Sequence, residues 1–243
     1  MDPVGIALIL FVSALLSGGL ALYAWRHRGT PGTGIIFCLM LGTTIAVFAY
    51  GMELLCATLS GKLGWVRIRY VGTALIYPMY LLLALWHTNR QKWLAAGRIA
   101  LLFILPVFSA IGMLTNSLHH LHYTWVGLNT SGPFPMIVKT FGPLYGFYVI
   151  TSLGYVLMAL AILGLNYYVT SPLFRRQTAA LIIGTAVPLA AALLYVAGLK
   201  PLGGLNLLPF AYTISSLMAA WIILGQRFFN LRPVAHGMVF DNM

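Results

Sequence analysis

The 243-residue chain predicts an all-α membrane protein, a bundle of seven transmembrane helices with its N-terminus outside and its C-terminus cytoplasmic. Three observations carry that expectation. Hydrophobic residues make up 60% of the chain and charged residues only 7%, against about 25% charged in an ordinary soluble domain. The apolar residues fall into runs long enough to cross a hydrocarbon core. The basic residues cluster between those runs rather than along one face, which suits loops touching anionic headgroups and not a nucleic-acid groove, despite a formal charge of +11.

The segments, in order, are Val4–Trp25, Gly34–Thr58, Arg67–His87, Ile99–Thr115, Phe141–Tyr168, Ala179–Leu199 and Leu207–Gly225. The first follows Asp2 with no basic leader, so it reads as a retained helix rather than a cleaved signal. The second carries both cysteines, Cys38 and Cys56, 18 residues apart. On one continuous helix they are separated by roughly 27 Å, which excludes an intrachain disulfide.

The third segment is the one around which the others are arranged. From Val71 to Trp86 it holds no charged side chain, and basic residues flank it at Arg67, Arg69, Arg90 and Lys92. As a helix, Arg67–His87 covers about 31 Å, the thickness of a hydrocarbon core. Pro78 in its middle frees a backbone carbonyl, tolerable in lipid only where neighbouring helices or side chains satisfy it. This helix therefore belongs inside the bundle. Connections are short except Asn116–Thr140, which is too long and aromatic for a plain turn. The fifth, sixth and seventh segments complete the bundle, and no interdomain linker interrupts 1–226. The expected division is a seven-helix transmembrane domain over 1–226 and a cytoplasmic exit segment over 227–243, leading to a cytoplasmic domain not contained in this sequence.

Orientation comes from the basic residues. Arg26, Arg28, Arg90, Lys92, Arg98, Arg175, Arg176, Arg227 and Arg232 lie in one set of connections, and Lys62, Arg67, Arg69, Lys139 and Lys200 in the other. The richer set belongs in the cytoplasm, which puts Asn116–Thr140 outside.

Glu53 is the one acidic residue inside an apolar segment. Ionisable groups there are rare and point to function. Arg67 and Arg69, opening the next helix after a loop of about eight residues, are its candidate partners. Two readings are open: the polar end of a ligand pocket, or an ion pair that pins two helices. Tyr50 shares the Glu53 face; Tyr70 and Tyr77 share another; Tyr145, Tyr148, Tyr195 and Tyr212 fall at similar depth. They suit a small ligand with an apolar body, or an aromatic belt facing lipid. The candidate ligand-binding residues are Glu53, Arg69, Tyr50, Tyr77, Tyr145, Tyr148, Asn206 and Tyr212, with Asn116, His119 and Trp125 as loop or gating residues. His119, His120 and His122 lack the acidic or thiol ligands that would complete a metal shell, so no metal and no cofactor is expected. Asn129-Thr130-Ser131 matches a glycosylation sequon by pattern. No P-loop, HExxH, GxSxG or paired carboxylates are present, and no helix centre offers a lysine for retinal. No catalytic residue is expected.

Five stretches, in order, carry a resemblance: WVRIRYVGTALIYPMYLLLALWHTNR, LPVFSAIGMLTNSLHHLH, GPLYGFYVITSLGYVL, FRRQTAALIIGTAVPLAA and NLLPFAYTISSLMAAW. Together with the exit RFFNLRPVAHGMVFDNM, where His236 stands in place of an expected arginine, the chain resembles the seven-transmembrane N-terminal sensor region of bacterial histidine kinases. That region is also found ahead of PAS and diguanylate cyclase domains. The resemblance implies a multi-pass protein of the bacterial inner (plasma) membrane. It implies an input domain that binds a small-molecule or lipid-like ligand among membrane lipids, acts on its own cytoplasmic kinase or PAS-type domain, and signals as a homodimer. The chain itself lacks phosphoacceptor and ATP-binding motifs and so is expected to be no enzyme. The alternatives are a small-solute transporter or channel, and a sensor of bilayer state or of a partner protein without a soluble ligand. No repeat relates the first three helices to the last three.

Overall fold

A computed structural model describes residues 3–132, 134–199 and 205–222. The expected exit segment 227–243 and Lys200 lie outside the described residues. Among those residues, six helices are long and apolar enough to cross a membrane: α1 (Pro3–Arg26), α2 (Thr33–Leu55), α3 (Leu59–His87), α4 (Ala96–Leu114), α6 (Pro143–Val169) and α7 (Pro172–Val196). A short α5 (Asn116–His119) precedes a hairpin of β1 (Tyr123–Asn129) and β2 (Met136–Phe141), and α8 (Leu208–Ala220) is a shorter apolar helix. The result is an all-α seven-helix bundle with a small hairpin at one end. Helices α6, α7 and α8 each begin with a proline in the first turn, where the missing N–H costs nothing.

Two boundaries differ from the sequence expectation. The third helix opens at Leu59, not Arg67, because Thr58 caps it, its Oγ1 accepting from Gly61 N at 3.3 Å. The sixth opens at Pro172 rather than Ala179, so Arg175 and Arg176 sit on the helix. Cys56 stands just past the end of α2 rather than within it; both cysteines are free.

Helix α3 is the hub. Within its apolar stretch 78% of residues are buried, against 28% in α4, α6 and α7. It packs on α2, α4, α6 and α7, while α1 and α2 pack on each other and on α8. The α2–α3 crossing is close because two glycines meet there. A Cβ on Gly72 would lie 2.7 Å from the Gly42 carbonyl oxygen, and one on Gly42 would lie 2.8 Å from the Gly72 oxygen. Small residues allow this approach where lipid supplies no hydrophobic drive between helices.

Two proline-freed carbonyls are answered by neighbouring helices. Pro106 in α4 releases the Leu102 carbonyl, four residues back, and Tyr155 Oη of α6 donates to it at 2.6 Å. Pro188 in α7 releases the Gly184 carbonyl, which accepts from Ser215 Oγ of α8. Tyr80 Oη of α3 donates in turn to Ser215 Oγ at 3.2 Å, and Ser13 of α1 meets Thr213 of α8 at 2.7 Å between hydroxyl oxygens. Polar groups in the bundle interior thus tie helices together.

Candidate functional site

The site grows from the end of the bundle where α2 turns into α3 through only Cys56–Thr58. Glu53 lies in the last turn of α2, and its Oε2 is 2.7 Å from Arg69 Nη1, with both side chains about nine-tenths buried. Arg67 is excluded from this pairing by helical geometry, since residues two apart point to opposite sides. It lines a separate groove with Leu63, Asn116, His120 and Trp125. The guanidinium of Arg69 also lies 5.1 Å from the centre of the Tyr50 ring, and the Tyr50 hydroxyl accepts from Asn206 N at 2.9 Å. Lys62, 1% exposed, donates from Nζ to the Glu53 backbone carbonyl at 2.7 Å.

Beside this polar recess opens a cavity walled by α3, α6, α7, α8 and the hairpin. Tyr77 stands at its centre, its hydroxyl accepting from Tyr148 at 3.3 Å and Tyr212 at 3.4 Å. Arg69, Lys139, Tyr195 and Asn206 line it where it meets the recess, and Val149, Leu153, Val156 and Leu189 are among its apolar lining. Of the eight candidate ligand-binding residues, Arg69, Tyr77, Tyr145, Tyr148, Asn206 and Tyr212 therefore line this cavity. Tyr50 and Glu53 line the adjoining recess, which shares Arg69 and Asn206 with it.

The three loop candidates do different things. Asn116 is buried and spends its amide on the backbone: Oδ1 accepts from His122 N at 2.8 Å and Tyr123 N at 3.1 Å, and Nδ2 donates to Tyr123 O at 3.1 Å. His119 accepts at Nδ1 from Leu121 N at 3.0 Å, which leaves its proton on Nε2, 3.2 Å from Thr115 Oγ1. Trp125 is 57% exposed on β1. Among the described residues no three His, Cys, Asp or Glu side chains come together.

Sequence reasoning missed Lys139 and Tyr123 as residues of the site. The hairpin brings them in. Register pairs Val126 with Lys139, while an irregularity between Tyr123 and Trp125 re-aims the start of β1. Lys139 Nζ reaches the Tyr123 hydroxyl at 3.2 Å, and the Tyr123 hydroxyl lies 2.9 Å from that of Tyr70. The one available signal was a lysine in the β-branched run of β2 (MIVKTF) in a loop without acids.

His122, outside the membrane-spanning helices, is fully buried among the rings of Tyr70, Tyr123, Tyr145 and Tyr148, and neither ring nitrogen has a partner among the described residues. Burial, with repulsion from Lys139, pushes its imidazole from 6.5 down to about 4. The unfolded chain then binds the proton first, so stability is full above pH 6.5 and declines as pH falls from 6.5 toward 4. Thermal unfolding of the purified chain across that window should show this slope, and His122→Phe should make it shallower. Parallel slopes in the two proteins would exclude His122 as the cause.

The bundle and its recess define a multi-pass membrane protein with a polar, tyrosine-lined cavity at one end. Residues 9–233 match the family described as the N-terminal 7TM region of histidine kinase, and the chain belongs to that family. No curated protein matched it. It is a membrane sensory region rather than a catalytic domain, and the family association points to a cytoplasmic kinase as its partner.

Proposed function

We propose that this chain is the receptor portion of a bacterial inner-membrane histidine kinase, N-terminus outside, binding a small-molecule or lipid-like ligand in the outer half of the bundle. The observation that carries this reading is the cavity between α3, α6, α7 and α8, continuous with the Glu53–Arg69 pair. Orientation rests on the excess of Lys and Arg in one set of connections. A ligand acts by binding one helix arrangement better than another. The bonds from Tyr80 to Ser215 and from Ser215 to Gly184 run from the cavity's helices α3 and α7 into α8, the last described helix before the chain proceeds to the cytoplasmic effector. Homodimerisation places two such helices side by side. A transporter needs polar groups along an open path, whereas Ser13, Thr213, Tyr80 and Ser215 are consumed in helix-to-helix bonds.

The test is a thermal-shift screen of a compound library on the chain in lipid nanodiscs, repeated with Ala192→Phe, which places a ring in the cavity wall. A compound that raises the Tm of the parent but not of Ala192→Phe is the expected result. A library without a single hit, or hits indifferent to Ala192→Phe, would remove the receptor reading. Labelling of Asn242→Cys, with Cys38→Ser and Cys56→Ser to remove the free native thiols, by an impermeant maleimide only from the cytoplasmic face is the expected topology result.

A further inference from the structure

The charge balance of the recess is uneven. The whole sequence has 14 Lys and Arg against three Asp and Glu, and Glu53 is the single carboxylate among the described residues. Three cations line the recess with it: Lys62, Arg69 and Lys139. Glu53 offsets one charge through Arg69. Lys62 donates to a backbone carbonyl rather than to a carboxylate. Lys139 has the Tyr123 hydroxyl and the faces of three rings, its Nζ lying 4.7 Å from the centre of Tyr123, 5.9 Å from Phe141 and 5.8 Å from Tyr195. Ring faces attract a cation by about 0.5–2 kcal/mol. That is a partial substitute for a counter-charge where water is scarce. Lys139 and Arg69 also line the tyrosine cavity, at the junction between its apolar slot and the recess.

We infer that the occupant of this cavity is a small amphipathic anion, its negative group held by Lys139 and Arg69 and its apolar body lying among Tyr77, Tyr148 and Leu189. This inference rests on the receptor reading and adds the ligand's chemical class. The shape follows from the lining: Arg69 and Lys139 stand where the cavity meets the recess, and beyond them lie aliphatic side chains, ring faces and tyrosine hydroxyls bonded to one another. An anionic head on an apolar body can come from a free carboxylate or from an anionic lipid of the bilayer, and both satisfy the same groups.

The experiment measures Tm of the chain in nanodiscs of phosphatidylcholine alone. Probes are octanoate and phenylacetate, their neutral amides octanamide and phenylacetamide, and acetate as a head without a body. A parallel preparation replaces part of the lipid with phosphatidylglycerol. The expected result is a rise of about 4 °C with saturating carboxylate or with phosphatidylglycerol, absent with the amides and acetate. Lys139→Gln loses the rise, and Lys139→Arg keeps it. Circular dichroism checks that Lys139→Gln keeps the helix content of the parent, so that its silence reports on binding. A carboxylate response identifies a free anion, and a response to phosphatidylglycerol alone identifies a lipid; either supports the inference. Amides matching the acids, with Ala192→Phe abolishing both, overturn the anion and leave the receptor cavity standing. Acetate matching octanoate overturns the apolar body. Silence of every carboxylate and of phosphatidylglycerol, or responses unchanged in Lys139→Gln, overturns the anion, whereas the receptor reading falls only with the library screen.

Discussion

Glu53→Gln will destabilise the bundle by about 3–5 kcal/mol, the usual cost of breaking a buried ion pair from one side. The pair is 2.7 Å long, and each side chain is about nine-tenths buried. Removing the carboxylate leaves Arg69 without a counter-ion in a recess that already holds Lys62 and Lys139. For a chain of this length the loss corresponds to a fall in Tm of about 10 °C. The double variant Glu53→Gln/Arg69→Met should recover most of it, because replacing both ions by uncharged groups is close to neutral. A double-mutant cycle measured by thermal unfolding in nanodiscs decides the matter. If Glu53→Gln melts with the parent, the pair is no more than an exposed surface contact. The ion-pair and pocket readings of Glu53 converge here, since the same pair that pins α2 to α3 borders the recess.

Gly72→Leu is expected to damage the packing of α2 on α3 directly. Even a single Cβ at position 72 would sit 2.7 Å from the Gly42 carbonyl oxygen and 2.8 Å from Ala46 N, both of them backbone atoms. Backbone cannot swing aside as a side chain can, so α2 and α3 must separate. Overpacking of this kind costs about 1–3 kcal/mol or more, and here the separation also pulls Glu53 away from Arg69. Gly64→Leu, at a position where an added Cβ meets nothing within 4 Å, is the matched control and should leave Tm unchanged or slightly raised through its gain in helix propensity. Expression yield and Tm of the two variants check the prediction. Equal behaviour at the two positions would rule out the close crossing.

The spans were legible in the sequence because lipid imposes one requirement on every residue of a crossing helix, and that requirement is local. Family membership was legible for a related reason: its motifs are short stretches in a set order. The need of Glu53 for a cation was also legible, since a lone carboxylate in hydrocarbon is costly wherever it points. The choice of Arg69 over Arg67 was not. It depended on where α3 begins, and the Thr58 cap moved that point eight residues upstream, from Arg67 to Leu59.

The sequence by itself determined the class of solvent, the number of apolar rods, and the demand that buried ions and proline-freed carbonyls be answered. Only the tertiary structure decided who answers. Tyr155 reaches the carbonyl released by Pro106, and Ser215 that released by Pro188, from helices 53 and 31 positions away in sequence. Lys139 enters the cavity from a hairpin whose register, not its composition, aims it at Tyr123 and Tyr195. Helical periodicity assigns a residue to a face of its own helix. Which helix lies opposite that face is set by close packing across the whole bundle, at Gly42 and Gly72 above all, and that information is spread over residues far apart in the chain.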